Sequence, residues 1–254
     1  MKASWLFSRA LALCLLAAVP ARAGDVVSLN LCTDAVILTL APERIAALSP
    51  LARDPSLSVA ASAAASLPWV RPEAEAVLAL HPALVLASRY GAQSTVALLR
   101  ARGVAVVTLG EPADLAGVDQ QVTDAAAALG VAARGRAVLA DFHARLAAIR
   151  PRPPVQAVLW EARGFSAGPG SFGGDVLRAA GLINAGTGGA MDVETLVARH
   201  PGLLVTQTAP GYPSLATDML WHPALAGLRR ATLRPAWLAC PGPWSIAAVE
   251  ALTR

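Results

Sequence analysis

Two segments of the chain share one register: Glu75-Ala-Val-Leu-Ala-Leu-His81-Pro82-Ala-Leu84-Val-Leu86 and Glu194-Thr-Leu-Val-Ala-Arg-His200-Pro201-Gly-Leu203-Leu-Val205. They align without a gap. Each reads as a helix, a His-Pro break and a short apolar run of the kind that forms a buried strand. Apolar matches arise easily by chance. Glu, His and Pro at the same three places do not. The repeat predicts two similar α/β halves.

The flanking sequence extends both halves. Val26 to Leu29 reads as a strand, Asp34 as the cap of a helix through Leu40, and Arg44 to Leu48 as a second strand. A loop with little pattern runs to Pro68. Glu75 to Leu80 is helical, Leu84 to Ala87 a strand, Val96 to Ala101 a helix stopped by Gly103, and Val104 to Leu109 a strand. Strand and helix alternate with short connections, which favours a parallel sheet. The pattern then changes. Asp119 to Leu129 is a helix ended by Gly130. Ala132 to Arg150 is a longer one, with Val138, Phe142, Leu146 and Ile149 on one face. It would span roughly 28 Å. Pro151-Arg152-Pro153-Pro154 ends it, and the alternation resumes. Val155 to Trp160 and Leu203 to Thr206 read as strands, Asp175 to Ala180 and Val193 to Arg199 as helices. Ala236 to Ala239 is the expected last strand, and Ile246 to Leu252 the last helix.

The expected fold is therefore α/β, with two Rossmann-like lobes joined by a single long backbone helix. The lobes would be residues 24–118 and 155–254, with linking helices at 119–154. Open α/β sheets bind ligands beyond the carboxyl ends of their strands. Two facing lobes would enclose a ligand cleft.

Composition bounds the function. The chain has 254 residues, 55% hydrophobic and 15% charged, too apolar for disorder. Its formal charge of +4 suggests a nucleic-acid binder, but residues 1–23 carry Lys2, Arg9 and Arg22 and no acid. Without them 18 basic and 17 acidic residues remain, and no lysine at all. That excludes a phosphate-tracking surface. Lys2 and Arg9, the apolar run Ala10 to Val19, and Ala21-Arg22-Ala23 form an export signal, with cleavage after Ala23. The run is too short to span a bilayer. The expected protein is soluble, exported and periplasmic. Cys32 and Cys240 then lie in an oxidising compartment. They can pair and tie the first segment to the last, or stand as two small buried apolar residues.

Two enzyme motifs are present. Gly164-Phe165-Ser166-Ala167-Gly168 matches a nucleophile elbow, and a triad could be drawn from Asp192 or Asp218 with His200 or His222. An elbow needs a helix to start at the serine, whereas Pro169, Gly170, Gly173 and Gly174 follow. An exported serine hydrolase using Ser166 is the alternative to a binding protein. Gly168-Pro169-Gly170-Ser171-Phe172-Gly173 matches a dinucleotide fingerprint, but a lone match is weak. The simpler reading is a glycine loop that lets backbone approach a ligand. His81, His143, His200 and His222 include no i, i+4 pair, so side chains offer no metal site, and no cofactor is expected.

Aromatic residues with polar handles are Trp69, Tyr90, Trp160, Tyr212, Trp221, Trp237 and Trp244. Trp160 and Trp237 fall within predicted strands and read as core. Trp69, Tyr90 and Trp244 fall at strand exits or helix entrances, where a cleft would be. Arg53 and Arg89 follow strands in the same way and could face an anionic group.

Residues Asp25 to Asp54, with Val26-Val-Ser-Leu-Asn-Leu-Cys-Thr-Asp34 and Pro42-Glu43-Arg44-Ile45, resemble the opening of class III periplasmic binding proteins. Glu75 to Leu86, Phe165 to Asn184 and Glu194 to Val205 agree. This helical-backbone family includes the cobalamin and ferric-siderophore receptors of ABC importers. The resemblance implies a monomer that holds a metal chelate between two lobes on a rigid linking helix. It also implies that one surface glutamate per lobe, Glu75 and Glu194, docks on arginines of the membrane permease, which its ATPase drives. Cobalamin receptors place aromatics at positions like Trp69 and Trp244, but this chain has Ser88 and Leu51 where they have further aromatics. Siderophore receptors use arginine or tyrosine, here Arg53, Arg89 and Tyr90. Haem is the third cargo the resemblance admits.

Overall fold

A computed structural model describes residues 24–209 and 215–254. The proposed export signal and Tyr212 lie outside the described residues. In chain order the elements are β1 (Val26–Ser28), α1 (Leu31–Leu40), β2 (Ile45–Ala47), α2 (Ala61–Ala64), α3 (Ala74–Leu78), β3 (Leu84–Ser88), α4 (Gln93–Ala101), β4 (Val106–Leu109), α5 (Gly117–Ala128) and α6 (Ala132–Ala148). There follow β5 (Gln156–Leu159), α7 (Phe172–Ala179), β6 (Ile183–Asn184), α8 (Val193–Ala198), β7 (Leu203–Gln207), α9 (Leu215–Asp218), β8 (Arg230–Leu233) and α10 (Ile246–Thr253).

The strands form two separate four-stranded sheets, ordered β2-β1-β3-β4 and β6-β5-β7-β8. Every pairing is parallel. The two orders are the same order, so the internal repeat extends to the topology of each lobe. Parallel sheets need cover on both faces, and alternate residues supply it. Val26, Leu84 and Leu86 join Leu159, Leu203 and Val205 in one continuous core that also takes Val122 of α5, Phe142 of α6 and Val249 of α10. Val27, Val85 and Ala87 face an outer cluster with Val77, Val96 and Leu99. In the second lobe Val158, Trp160 and Leu204 do the same with Leu196 and Leu225. One core thus runs through both lobes and the helices between them.

The repeated His-Pro breaks have a local cause. His81 and His200 adopt left-handed backbone, with φ of 48° and 47°. Their amides donate to Leu78 and Val197, each at 3.0 Å, which closes the end of α3 and of α8. Histidine enters this region more readily than branched residues do, and the proline that follows bars the helix from continuing.

Three expectations are corrected. Asp34 does not cap α1. Asn30 does, its side chain accepting from the amides of Cys32 and Thr33 at 3.1 Å each, while Asp34 is buried within the helix. The last strand is Arg230–Leu233, not Ala236 to Ala239. Pro235 starts a single 3-10 turn through Trp237, so Trp237 packs against the core from a turn. The loop before Pro68 contains one helical turn, α2.

Candidate functional site

In a parallel sheet all strands point the same way, so the loops that leave their carboxyl ends gather on one edge. The two lobes meet along such edges. A crevice of about 110 Å³ lies between them, lined by Pro55 and Ser56 of the first lobe and by Thr208, Ala209, Arg234 and Pro235 of the second. Thr208 follows β7 directly, and Arg234 follows β8.

The first-lobe rim is built from the exits of β2 and β3. After β2, a 3-10 turn at Pro50–Arg53 leads into Pro55 and Ser56. The segment at Trp69 pairs beside Leu48, whose amide donates to Pro68 at 3.0 Å and whose carbonyl accepts from Val70 at 2.9 Å. This fixes Trp69 half-exposed, with the Arg53 guanidinium 6.0 Å from its ring centroid. After β3, Tyr90 stands 66% exposed beside Arg89. Its turn is held by Gln93, whose side-chain amide donates to the Arg89 carbonyl at 2.7 Å and to that of Gly91 at 3.1 Å.

The second-lobe rim carries residues that the sequence pattern does not single out. Arg234 lies with its guanidinium 5.9 Å from the Trp237 ring centroid, so each lobe brings an arginine against a tryptophan. Glu161, directly beyond Trp160 and β5, accepts from the Gln207 side chain at 3.1 Å. Burial raises its pKa above the usual carboxylate value. Phe165 is half-exposed in the same loop. Placing the last strand a few residues too late hides Arg234, which is otherwise a strand-exit arginine like Arg53 and Arg89.

Trp244 stands elsewhere. Its indole N–H donates to the Cys240 carbonyl at 2.7 Å. The ring lines a separate groove of about 450 Å³ along α6, with Thr39, Arg134, Val138 and Arg145. The structure joins Cys32 to Cys240 in a disulfide across a sequence separation of 208 residues. Glu75 and Glu194 are exposed at equivalent places, each in the second position of α3 or α8. α3 leads into β3 and α8 into β7, so the two glutamates hold corresponding places in the repeated topology.

The residues of the enzyme motifs have local partners. Ser166 is buried, its hydroxyl 2.9 Å from that of Thr187 and donating to the Gly189 carbonyl at 3.3 Å. Asp192 caps α8 by accepting from the Thr195 amide at 2.7 Å, and His222 Nδ1 accepts from the Ala224 amide at 3.2 Å. The helix after Ser166 starts only at Phe172, capped by Ser171. Glycines beside this loop are required by its close packing, whereas Gly170 within it has open space around it. A Cβ on Gly174 would lie 2.2 Å from the Gly168 carbonyl oxygen, and one on Gly186 2.0 Å from that of Ala167.

With this geometry in place, residues 26–232 match the family model described as periplasmic binding protein. The chain belongs to the periplasmic binding protein family. No curated protein sequence matches the chain. Several solved structures do. A periplasmic heme binding protein from Pseudomonas aeruginosa is 27% identical, with a TM-score of 0.70 over 90% of this chain and 91% of that one. The periplasmic heme-binding protein BhuT, in complex with two hemes, is 25% identical, with a TM-score of 0.72 over 90% and 96%. The periplasmic vitamin B12 binding protein BtuF of Vibrio cholerae is 18% identical, with a TM-score of 0.62 over 90% and 94%, and shares the fold. As in these binding proteins, two parallel-sheet lobes face each other in this periplasmic binding protein.

Proposed function

We propose that the chain is the substrate-binding protein of an ABC importer and that it carries, without converting, an anionic flat metal chelate of the haem type. The observation that carries this reading is a crevice lined by both lobes, with Arg234 on one wall and Arg53 two residues before Pro55 of the other, each guanidinium lying against an indole, Trp237 and Trp69 respectively. Indole faces offer flat apolar surface to a macrocycle. Guanidinium groups suit carboxylates at its edge. Arg89 and Tyr90 extend the first-lobe rim. The 27% identity to a heme binding protein supports the cargo class.

Ferric siderophores and cobalamin-type corrinoids are the competing cargoes. Titration of the apo protein with hemin, cyanocobalamin and ferrichrome, read by tryptophan emission with inner-filter correction, decides among them. Saturable quenching by hemin alone is expected. Preference for either of the others would overturn the cargo class.

Delivery would use Glu75 and Glu194 as paired contacts to the permease, which fix orientation more than affinity. Reversing both charges should abolish uptake in cells while leaving cargo affinity intact. Uptake that survives the double reversal removes the docking assignment.

A further inference from the structure

We infer that the Cys32–Cys240 disulfide is an inter-lobe clamp that sets the width of the crevice. Cys32 lies in the first turn of α1, just beyond β1, one of the two interior strands of the first lobe. Cys240 is buried in the segment between β8 and α10 of the second lobe. The bond therefore passes from one lobe to the other at the strand ends where the crevice opens.

Neighbouring contacts reinforce it. The Gln121 side chain of α5 donates to the Pro241 carbonyl at 3.2 Å, next to Cys240. The Trp244 indole folds back onto the Cys240 carbonyl and holds that segment as a tight turn. The Leu115 amide also reaches the Asp175 carboxylate of the second lobe at 2.9 Å. The crevice walls differ. Among the described residues, no hydrogen bond or ion pair joins Pro55 or Ser56 to Thr208, Ala209, Arg234 or Pro235. The lobes are pinned covalently on one side and unlinked at the crevice. Oxidised protein thus retains one narrow gap, and loss of the bond leaves the lobes joined only by the shared core and the linking helices, so that the crevice side can widen. A preset gap also lowers the ordering cost of binding.

The test uses the mature chain without cargo. Genetically encoded keto residues replace Arg102 and Ala226, one exposed position per lobe, and carry spin labels. Pulsed dipolar spectroscopy then reads the inter-lobe distance. The oxidised protein should give one narrow distribution. The double variant C32S/C240S should give a broader one, with its mean displaced by more than about 2 Å. Superimposable distributions would overturn the clamp. If the double variant does not fold, the folded parent is reduced and alkylated, and near-UV circular dichroism reports whether both lobes persist. A reduced chain that loses that signal makes the bond a folding requirement and also overturns the clamp. The reading of this gap as the cargo site fails independently, in the hemin titration, because the distance is measured with no cargo present.

Discussion

Ser49 holds the buried carboxylate of Asp34, its amide donating to Asp34 Oδ1 at 3.0 Å and its hydroxyl to the second oxygen. Burial nevertheless dominates and raises the Asp34 pKa from 3.8 to about 7, with the bonds from Ser28 and Ser49 opposing it. Between those two values the folded chain keeps a proton that the unfolded chain has released. Stability therefore falls as pH rises from 3.8 to about 7 and levels off above. The full effect is on the order of 4 kcal/mol. Asp34→Asn preserves the shape and cannot ionise, so its stability should be flat over this window for this group and no lower than the parent at about pH 8. Urea unfolding at about pH 5 and about pH 8 checks this. Equal pH slopes in parent and variant would remove Asp34 as the source.

The glycine loop between β5 and α7 makes a sharper mechanical prediction, through the segment after β6 that packs on it. Gly186→Ala places a methyl 2.0 Å from the Ala167 carbonyl oxygen, so backbone must move on both sides. Overpacking of this kind costs about 1–3 kcal/mol. Gly189→Ala is the control, because a Cβ there would meet nothing within 4 Å and the φ of Gly189 is not positive. Thermal unfolding should separate the two variants by several degrees. A Gly186→Ala protein as stable as the control would mean that the loop has another conformation available.

Much of the architecture was legible because its signals are local. Alternating apolar runs, Gly103 and Gly130 after helices, and the proline block after α6 each act within a few residues. The Glu-His-Pro register carried the two-lobe reading further, since a repeat in sequence became a repeat in strand order. The pairing of arginine with tryptophan was not legible. Arg53 and Trp69 meet only because the segment at Trp69 pairs with Leu48, a tertiary event. Where Trp244 would face was no more legible: beside Pro243 at a helix entrance it reads as a cleft residue, and its N–H to the Cys240 carbonyl sets the ring in the groove along α6. Asp34 looked like a cap because acids favour the first helical turn, while Asn30, four residues earlier, held the cap position.

The left-handed histidines give a test of whether these residues serve the turn alone. Left-handed backbone costs about 1–2 kcal/mol for a residue with a Cβ. Glycine removes that strain and returns part of the gain through a more mobile unfolded chain. His81→Gly and His200→Gly should each be neutral or stabilising by up to about 1 kcal/mol. His81→Val should destabilise, because branched side chains fit this region poorly. Chemical denaturation ranks the variants. A glycine variant as unstable as the valine one would assign the imidazole ring a contact of its own.

Arg53 and Arg234 offer the most direct probe of cargo recognition, since Arg234 lines the crevice and Arg53 stands two residues before Pro55 on the opposite wall. A hydrogen bond from a charged donor contributes about 1.5–3 kcal/mol, and about 1.4 kcal/mol is tenfold in affinity. Arg53→Gln and Arg234→Gln should therefore each weaken hemin binding by about tenfold or more. The loss should vanish for the dimethyl ester of hemin, which lacks the carboxylates that the guanidinium groups would meet. Comparing free acid and ester across the two variants isolates the charge interaction from any general loosening of the rim. Equal losses for acid and ester would point to stacking of Trp69 and Trp237 as what the arginines support. Unchanged affinity for both would remove these two residues from the site.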